Sequence, residues 1–218
     1  VHNEEDYDWL TEKSYCLTHY RINNGFRFSA FNMLGDLPNA FAWNMGGMFF
    51  AIDCLVPFLP DKIKKMPRQF ESSLLVEKTT METVLDFLKR NESASSSHYL
   101  IGDLINKKVI SVEKADDVAS IRKINNLFIH TNHYVHPIFK GRYSNKENFG
   151  TSVERMQMAQ KILNKNDNQQ MAVKKMRNQL KRPWRAGDCN KTFATVLCDI
   201  LTKTITVHSG RALLRYNV

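Results

Sequence analysis

The chain has 218 residues, 43% hydrophobic and 24% charged, which is enough apolar material for one well-buried core in a single domain spanning residues 1–218. Its longest apolar stretch, residues 45–60, is interrupted by Asp53, so no segment reads as a bilayer span and no membrane partner is implied. The formal charge of +9 is uneven: residues 155–185 hold nine Lys/Arg against Asp167 alone, leaving 22 basic and 21 acidic residues elsewhere, which fits a solvated helical face better than a nucleic-acid surface.

In chain order, His2-Asn3-Glu4-Glu5-Asp6 is a polar, acidic opening with no charged-then-apolar leader ahead of it, and it reads as a truncated start. Residues 15–22 and 26–33 flank Asn23-Asn24-Gly25 and predict a β-hairpin, because Asn-Gly accepts the positive φ of a tight turn. Residues 41–44 and 48–56 predict a second strand pair around Gly46-Gly47. Pro57 and Pro60 end that pattern, and two helices follow. The first opens at Pro67 with Phe70, Leu74 and Leu75 on one face. The second has Thr79 and Glu82 at capping-box spacing, an apolar stripe of Val84, Leu85 and Leu88, and an end near Arg90.

After a polar linker, residues 98–102 and 108–113 predict another hairpin, and 127–133 one more strand. Residues 152–163 and 169–180 carry helical spacing, and 192–200 with 204–208 close the chain as a hairpin. Strand pairs separated by helix pairs make an α+β order, best satisfied by two packed antiparallel sheets with helices outside. Cys16, Cys54, Cys189 and Cys198 form no Cys-x-x-Cys pair, so free thiols are expected. That tilts the compartment toward the cytoplasm, against two Asn-x-Ser/Thr triplets at Asn91 and Asn190.

Several stretches carry a resemblance in order and spacing: His2-Asn3-Glu4-Glu5-Asp6, Leu37-Pro38-Asn39-Ala40-Phe41-Ala42-Trp43-Asn44-Met45-Gly46-Gly47, Met66-Pro67-Arg68-Gln69-Phe70, His130-Thr131-Asn132-His133 and Ser152-Val153-Glu154-Arg155-Met156. Together they resemble the acyl-coenzyme A:6-aminopenicillanate acyltransferase family of cysteine N-terminal-nucleophile (Ntn) hydrolases, whose animal members include the insect hydrolase of β-alanyl-dopamine and carcinine. The resemblance implies a four-layer αββα sandwich, here incomplete at its N-terminus. It also implies a precursor that cuts itself before a cysteine lying upstream of Val1, which leaves an α-subunit or propeptide segment as partner. That thiol would attack a small acylated amine and pass the acyl group to water or an amine, with no cofactor. A catalytically inactive relative that binds without turnover is the alternative.

Within the resemblance, Asn132 matches the position that donates a side-chain N–H to the oxyanion. Glu5, or Asp6 by a one-residue slip, matches the carboxylate that orients the mature N-terminal amine. Asn44, His130, His133 and Arg155 are expected to line the substrate pocket, and Arg68 matches a family position as well. Asp53 stands where the family often has Asn, and a lone carboxylate there needs a partner if buried. No metal is expected: on a strand His130 and His133 point to opposite faces, and no carboxylate or cysteine lies near them in the sequence.

Overall fold

The computed structural model describes residues 2–7, 15–38, 40–55, 65–139, 152–164, 190–209 and 212–218. Seven strands form one antiparallel sheet in chain order: β2 (Tyr15–Arg21), β3 (Arg27–Met33), β4 (Phe41–Asn44), β5 (Met48–Cys54), β6 (Ser97–Asp103), β7 (Lys108–Ala115) and β8 (Val118–Lys123). A smaller sheet has the order β1 (His2–Tyr7), β9 (Asn190–Asp199), β10 (Thr204–Ser209) and β11 (Ala212–Asn217), also antiparallel. Three helices accompany them: α1 (Arg68–Val76), α2 (Met81–Arg90) and α3 (Ser152–Asn164).

The period of two sorts the large sheet into two faces. Ala42, Met48, Phe50, Tyr99, Ile101, Ile110 and Val112 turn to one side and bury Leu75, Val76, Val84 and Leu88 of α1 and α2. Their neighbours Phe31, Phe41, Trp43, Phe49 and Ala51 turn to the other side and bury Ala194, Val196, Ile205 and Val207 of the small sheet. Helices, large sheet and small sheet are thus stacked as layers of an α+β sandwich. No helix among the described residues is long and apolar enough to cross a membrane.

The anticipated turns have the expected chemistry. Gly25 takes φ +84° between β2 and β3. At the β4–β5 turn Gly47 has φ +76°, and a Cβ there would lie 2.8 Å from Ile105 Cγ1, so any side chain is both strained and obstructed. Asn44 clasps this turn. Its Oδ1 accepts from Gly46 N (2.9 Å) and Met48 N (3.2 Å), while Nδ2 donates to the Val76 and Lys78 carbonyls at 2.6 and 2.8 Å. Every polar position of that buried amide ties the turn to the end of α1. We expect Asn44→Ala to lower unfolding free energy by about 3 kcal/mol, because buried partners are left unsatisfied. Urea unfolding at constant m-value measures it.

Some expectations need correction. The helix cap is Thr80, whose side chain accepts from Thr83 N, one residue beyond the capping box anticipated at Thr79. The polar run 2–6 lies in β1, at one edge of the small sheet among the described residues. Strands β8 and β11 are additions to the expected set, and both are edge strands too. Residues 127–133 carry no strand ladder. The helix expected at 169–180 lies outside the described residues.

Candidate active site

One cross-strand row of the large sheet is polar where its neighbouring row is apolar. Asp53 on β5 opposes His98 on β6, His98 opposes Glu113 on β7, and Glu113 opposes Ser120 on β8. The adjacent row, Ile52, Tyr99, Val112 and Ile121, packs on the helices. By alternation the polar row shares the face that carries Phe49 and Ala51. Residues 130–136 form an arch bonded to this row at both arms, through His130 on one and Val135 and His136 on the other.

His130 bridges two carboxylates, with Nδ1 3.1 Å from Asp53 Oδ2 and Nε2 3.0 Å from Glu113 Oε1. His98 also reaches Asp53 Oδ2, at 2.7 Å through Nδ1, and its Nε2 meets Ser111 Oγ at 2.9 Å. The His98 and His130 rings stack at 3.4 Å with 13° between planes. Ser111 Oγ continues to His136 Nε2 at 2.9 Å, and His136 Nδ1 to Ser120 Oγ at 2.9 Å. Glu113 further accepts from the backbone N–H of Val135 (2.6 Å) and of His136 (3.0 Å).

One positive charge is shared out unequally. For His130 burial opposes protonation, but the hydrogen bonds and charges of Asp53 and Glu113 prevail and raise its pKa. Two stacked imidazoles cannot both be charged, so burial and the His130 charge push His98 down to about 4. Burial works against the Asp53 carboxylate, yet its bonds to His130 and His98 outweigh that and hold it well below its usual range. Glu113 is depressed in the same way, burial being overcome by His130 and by the Val135 N–H. Burial also lowers His133 and His136.

The pH dependence of stability follows in sign. As pH falls from 6.5 to about 4, the unfolded chain binds a proton at His98 that the folded site refuses, so stability is lost across that window. The depressed His133 and His136 add to the acid limb, and Asp53 adds to it below its ordinary 3.8. The raised His130 contributes fully below its ordinary 6.5, and that contribution is lost as pH rises through its folded value. Urea midpoints should therefore peak near neutrality and fall on both sides. His98→Gln should make the acid limb shallower.

Asn132 sits within this arch. Its Nδ2 donates to the Cys54 carbonyl at 3.1 Å, and its Oδ1 accepts from Arg155 Nη2 at 2.7 Å. Arg155 comes from α3, whose first residue Ser152 anchors the same segment: Ser152 Oγ lies 2.8 Å from His133 Nδ1, and its carbonyl accepts from Thr131 Oγ1 at 3.0 Å. Arg68, at the start of α1, donates to Cys54 Sγ. Four of the anticipated residues, His130, Asn132, His133 and Arg155, are thus brought together at the end of β5. Asn44 is not; its amide is consumed by the β4–β5 turn. Glu5 and Asp6 lie on β1, opposite Thr192 and Lys191, next to a bulge at Glu4/Glu5.

The grounds for expecting no metal are different in the fold. His130 and His133 do not sit on a strand, and two carboxylates do reach His130, although they are distant in sequence. Asp53, His98 and His130 place one ligand atom each within 4.8 Å of one another. The rings stack at 3.4 Å with 13° between their planes, so an ion could not lie in both ring planes, where their lone pairs point. Sequence reasoning flagged Asp53 but missed Glu113. The available signal was Ser111 and Glu113 alternating with Ile110 and Val112 in a strand buried on both faces.

Comparison with solved structures finds similar folds. A mutant of conjugated bile acid hydrolase from Clostridium perfringens superposes with a TM-score of 0.59 at 14% identity, covering 88% of this chain and 77% of that one. Penicillin V acylase from Agrobacterium tumefaciens gives 0.60 at 14% identity, covering 88% and 69%. The N-acylethanolamine-hydrolyzing acid amidase ortholog of Caenorhabditis elegans gives 0.57 at 14% identity, covering 95% and 86%. At such identity these neighbours establish the fold alone, that of the Ntn hydrolases. A sequence comparison with curated proteins gives no match. Residues 1–213 match the sequence profile of one family, so the chain belongs to the acyl-coenzyme A:6-aminopenicillanic acid acyl-transferase family.

Proposed function

We propose that this chain is a single Ntn domain of a self-processing cysteine amidohydrolase or N-acyltransferase that acts on a small acylated amine, and that its nucleophile is a cysteine upstream of Val1. The observation that carries the reading is Asn132, held by Cys54 and Arg155 in a chain of this family. Its Nδ2 has two protons and the Cys54 carbonyl takes one. The second N–H has no partner among the described residues and suits an oxyanion.

In the proposed reaction the thiolate sulfur forms a bond to the amide carbonyl carbon, and the π electrons move to oxygen, where the Asn132 N–H receives the charge. Collapse breaks the C–N bond and expels the amine, which takes its proton from the α-ammonium group that received the thiol proton as the thiolate formed. Water or a second amine then displaces the thiol from the acyl-enzyme. Glu5 or Asp6 would hold the α-amino group, and His130, His133 and Arg155 would wall the pocket. Hydrolysis is favoured over transfer by the animal-like features of the sequence, His2-Asn3-Glu4 and the stretch around Arg155 and Met156.

Cys198 is a poor rival for the nucleophile. Burial pushes Cys198 up to about 12, which leaves almost no thiolate at neutral pH. The test compares residues 1–218 with the full-length protein. We expect turnover of N-acyl amides and one fast-alkylating cysteine in the full-length protein alone. Turnover by residues 1–218, or uniformly slow alkylation of the full-length protein, would reject the proposal, and slow alkylation would favour the inactive relative.

A further inference from the structure

We propose that Glu113 is the positioning residue for Asn132. This rests on Asn132 being the oxyanion donor proposed above.

Glu113 is fully buried in the middle of the large sheet, between two residues that face the helices, and its carboxylate points to the other side. It carries three bonds, all to one segment. Oε1 takes His130 Nε2 at 3.0 Å and Val135 N at 2.6 Å, and Oε2 takes His136 N at 3.0 Å. Both arms of the arch that presents Asn132 therefore converge on one side chain. On the near arm, Asp53 grips the second nitrogen of His130 at 3.1 Å and so fixes the direction of its ring. On the far arm, Ser111 and Ser120 hold His136 by both nitrogens at 2.9 Å.

Asn132 then needs only two further ties, Cys54 and Arg155, to point its amide in one direction. Glu113 makes no bond to Asn132 itself, so it acts on that side chain through the arch. A loss of aim costs transition-state stabilisation more than substrate binding, because the oxyanion exists only after attack. A carboxylate that merely packed the sheet would affect stability without that selectivity.

The experiment uses the full-length protein with N-acetyl and N-β-alanyl amides of 7-amino-4-methylcoumarin as probes, and Glu113→Gln, Glu113→Asp and Asn132→Ala singly, with each of the first two also combined with Asn132→Ala. Near-UV circular dichroism reports folding. Glu113→Gln is expected to lower kcat about 10- to 100-fold with KM little changed. In the double variant Asn132→Ala should add little, since a misaimed amide has little left to lose. Unchanged kcat in Glu113→Gln, or losses that add in full, overturns the proposal while leaving the role of Asn132 intact. Absent wild-type turnover, or an Asn132→Ala variant with wild-type kcat, removes the functional reading and this proposal with it. If Glu113→Gln does not fold, Glu113→Asp, alone and with Asn132→Ala, is judged by the same two criteria. Failure of both to fold makes the role structural and overturns the proposal.

Discussion

Under the proposed mechanism, Asn132→Ala in the processed full-length enzyme is expected to lower kcat by about 10²- to 10³-fold while KM changes little, the size of effect found when one oxyanion donor is removed. The alanine gives up the ties to Cys54 and Arg155 but keeps those of the arch to Glu113 and Ser152. The ground-state carbonyl makes weaker use of the N–H than the tetrahedral oxyanion does, so the loss falls on the chemical step. Asn132→Asp should be at least as damaging, because it sets a carboxylate where negative charge develops. Steady-state kinetics on a single N-acyl amide decides the matter. A kcat within a few-fold of wild type would assign Asn132 to tying the segment to Cys54 and nothing more.

Lys114→Met is expected to cost about 3–5 kcal/mol of unfolding free energy, because it strands a buried carboxylate on the helix face of the large sheet. Lys114 and Glu71 are both fully buried, with Nζ 3.3 Å from Glu71 Oε2. Tyr99 donates its hydroxyl to Glu71 Oε1 at 2.7 Å, and Lys114 also donates to the carbonyls of Leu88 (2.9 Å) and Asn91. One ammonium thus joins α1 to the end of α2 across β7. Burial lowers the Lys114 pKa and Glu71 works against that, so removal of either partner leaves the other without compensation. Adding Glu71→Gln should restore half or more of the loss, since the amide oxygen still accepts from Tyr99 and no charge remains. Urea unfolding with unchanged m-value is the measurement. A loss in Lys114→Met below about 1 kcal/mol would contradict a stabilising tie between Lys114 and Glu71.

The parts of the fold legible in the sequence are those written in local chemistry. Asn23-Asn24-Gly25 and Gly46-Gly47 mark turns whose φ only such residues accept readily, and the apolar alternation around them locates β2 to β5. The stripe of Val84 and Leu88 locates α2 because both sides of that pattern are satisfied at once. Residues 127–133 mislead for an instructive reason. Leu127-Phe128-Ile129 looks like strand material, but Leu127 is 66% exposed and the segment is held by side chains, His130 above all, in place of a ladder.

The site was partly legible. The resemblance pointed to His130-Thr131-Asn132-His133, and the structure sets that motif beside Arg155. What the linear pattern could not supply was the convergence of Asp53 and Glu113 on His130, since residues 77 and 17 positions away are joined only by the strand register. The same long-range pairing explains how a carboxylate expected to be costly at position 53 is accommodated: it meets two imidazoles, and the pKa of one of them, His130, is raised by that contact.

The most direct test of a thiol-based Ntn mechanism is peptide-level mass spectrometry on the full-length protein, quenched soon after mixing with an activated acyl substrate. The expected result is a chain cleaved upstream of Val1, with a cysteine as its new first residue and the acyl mass on that cysteine. An uncleaved chain, or acyl label on Cys16, Cys54 or Cys198 instead, would contradict it.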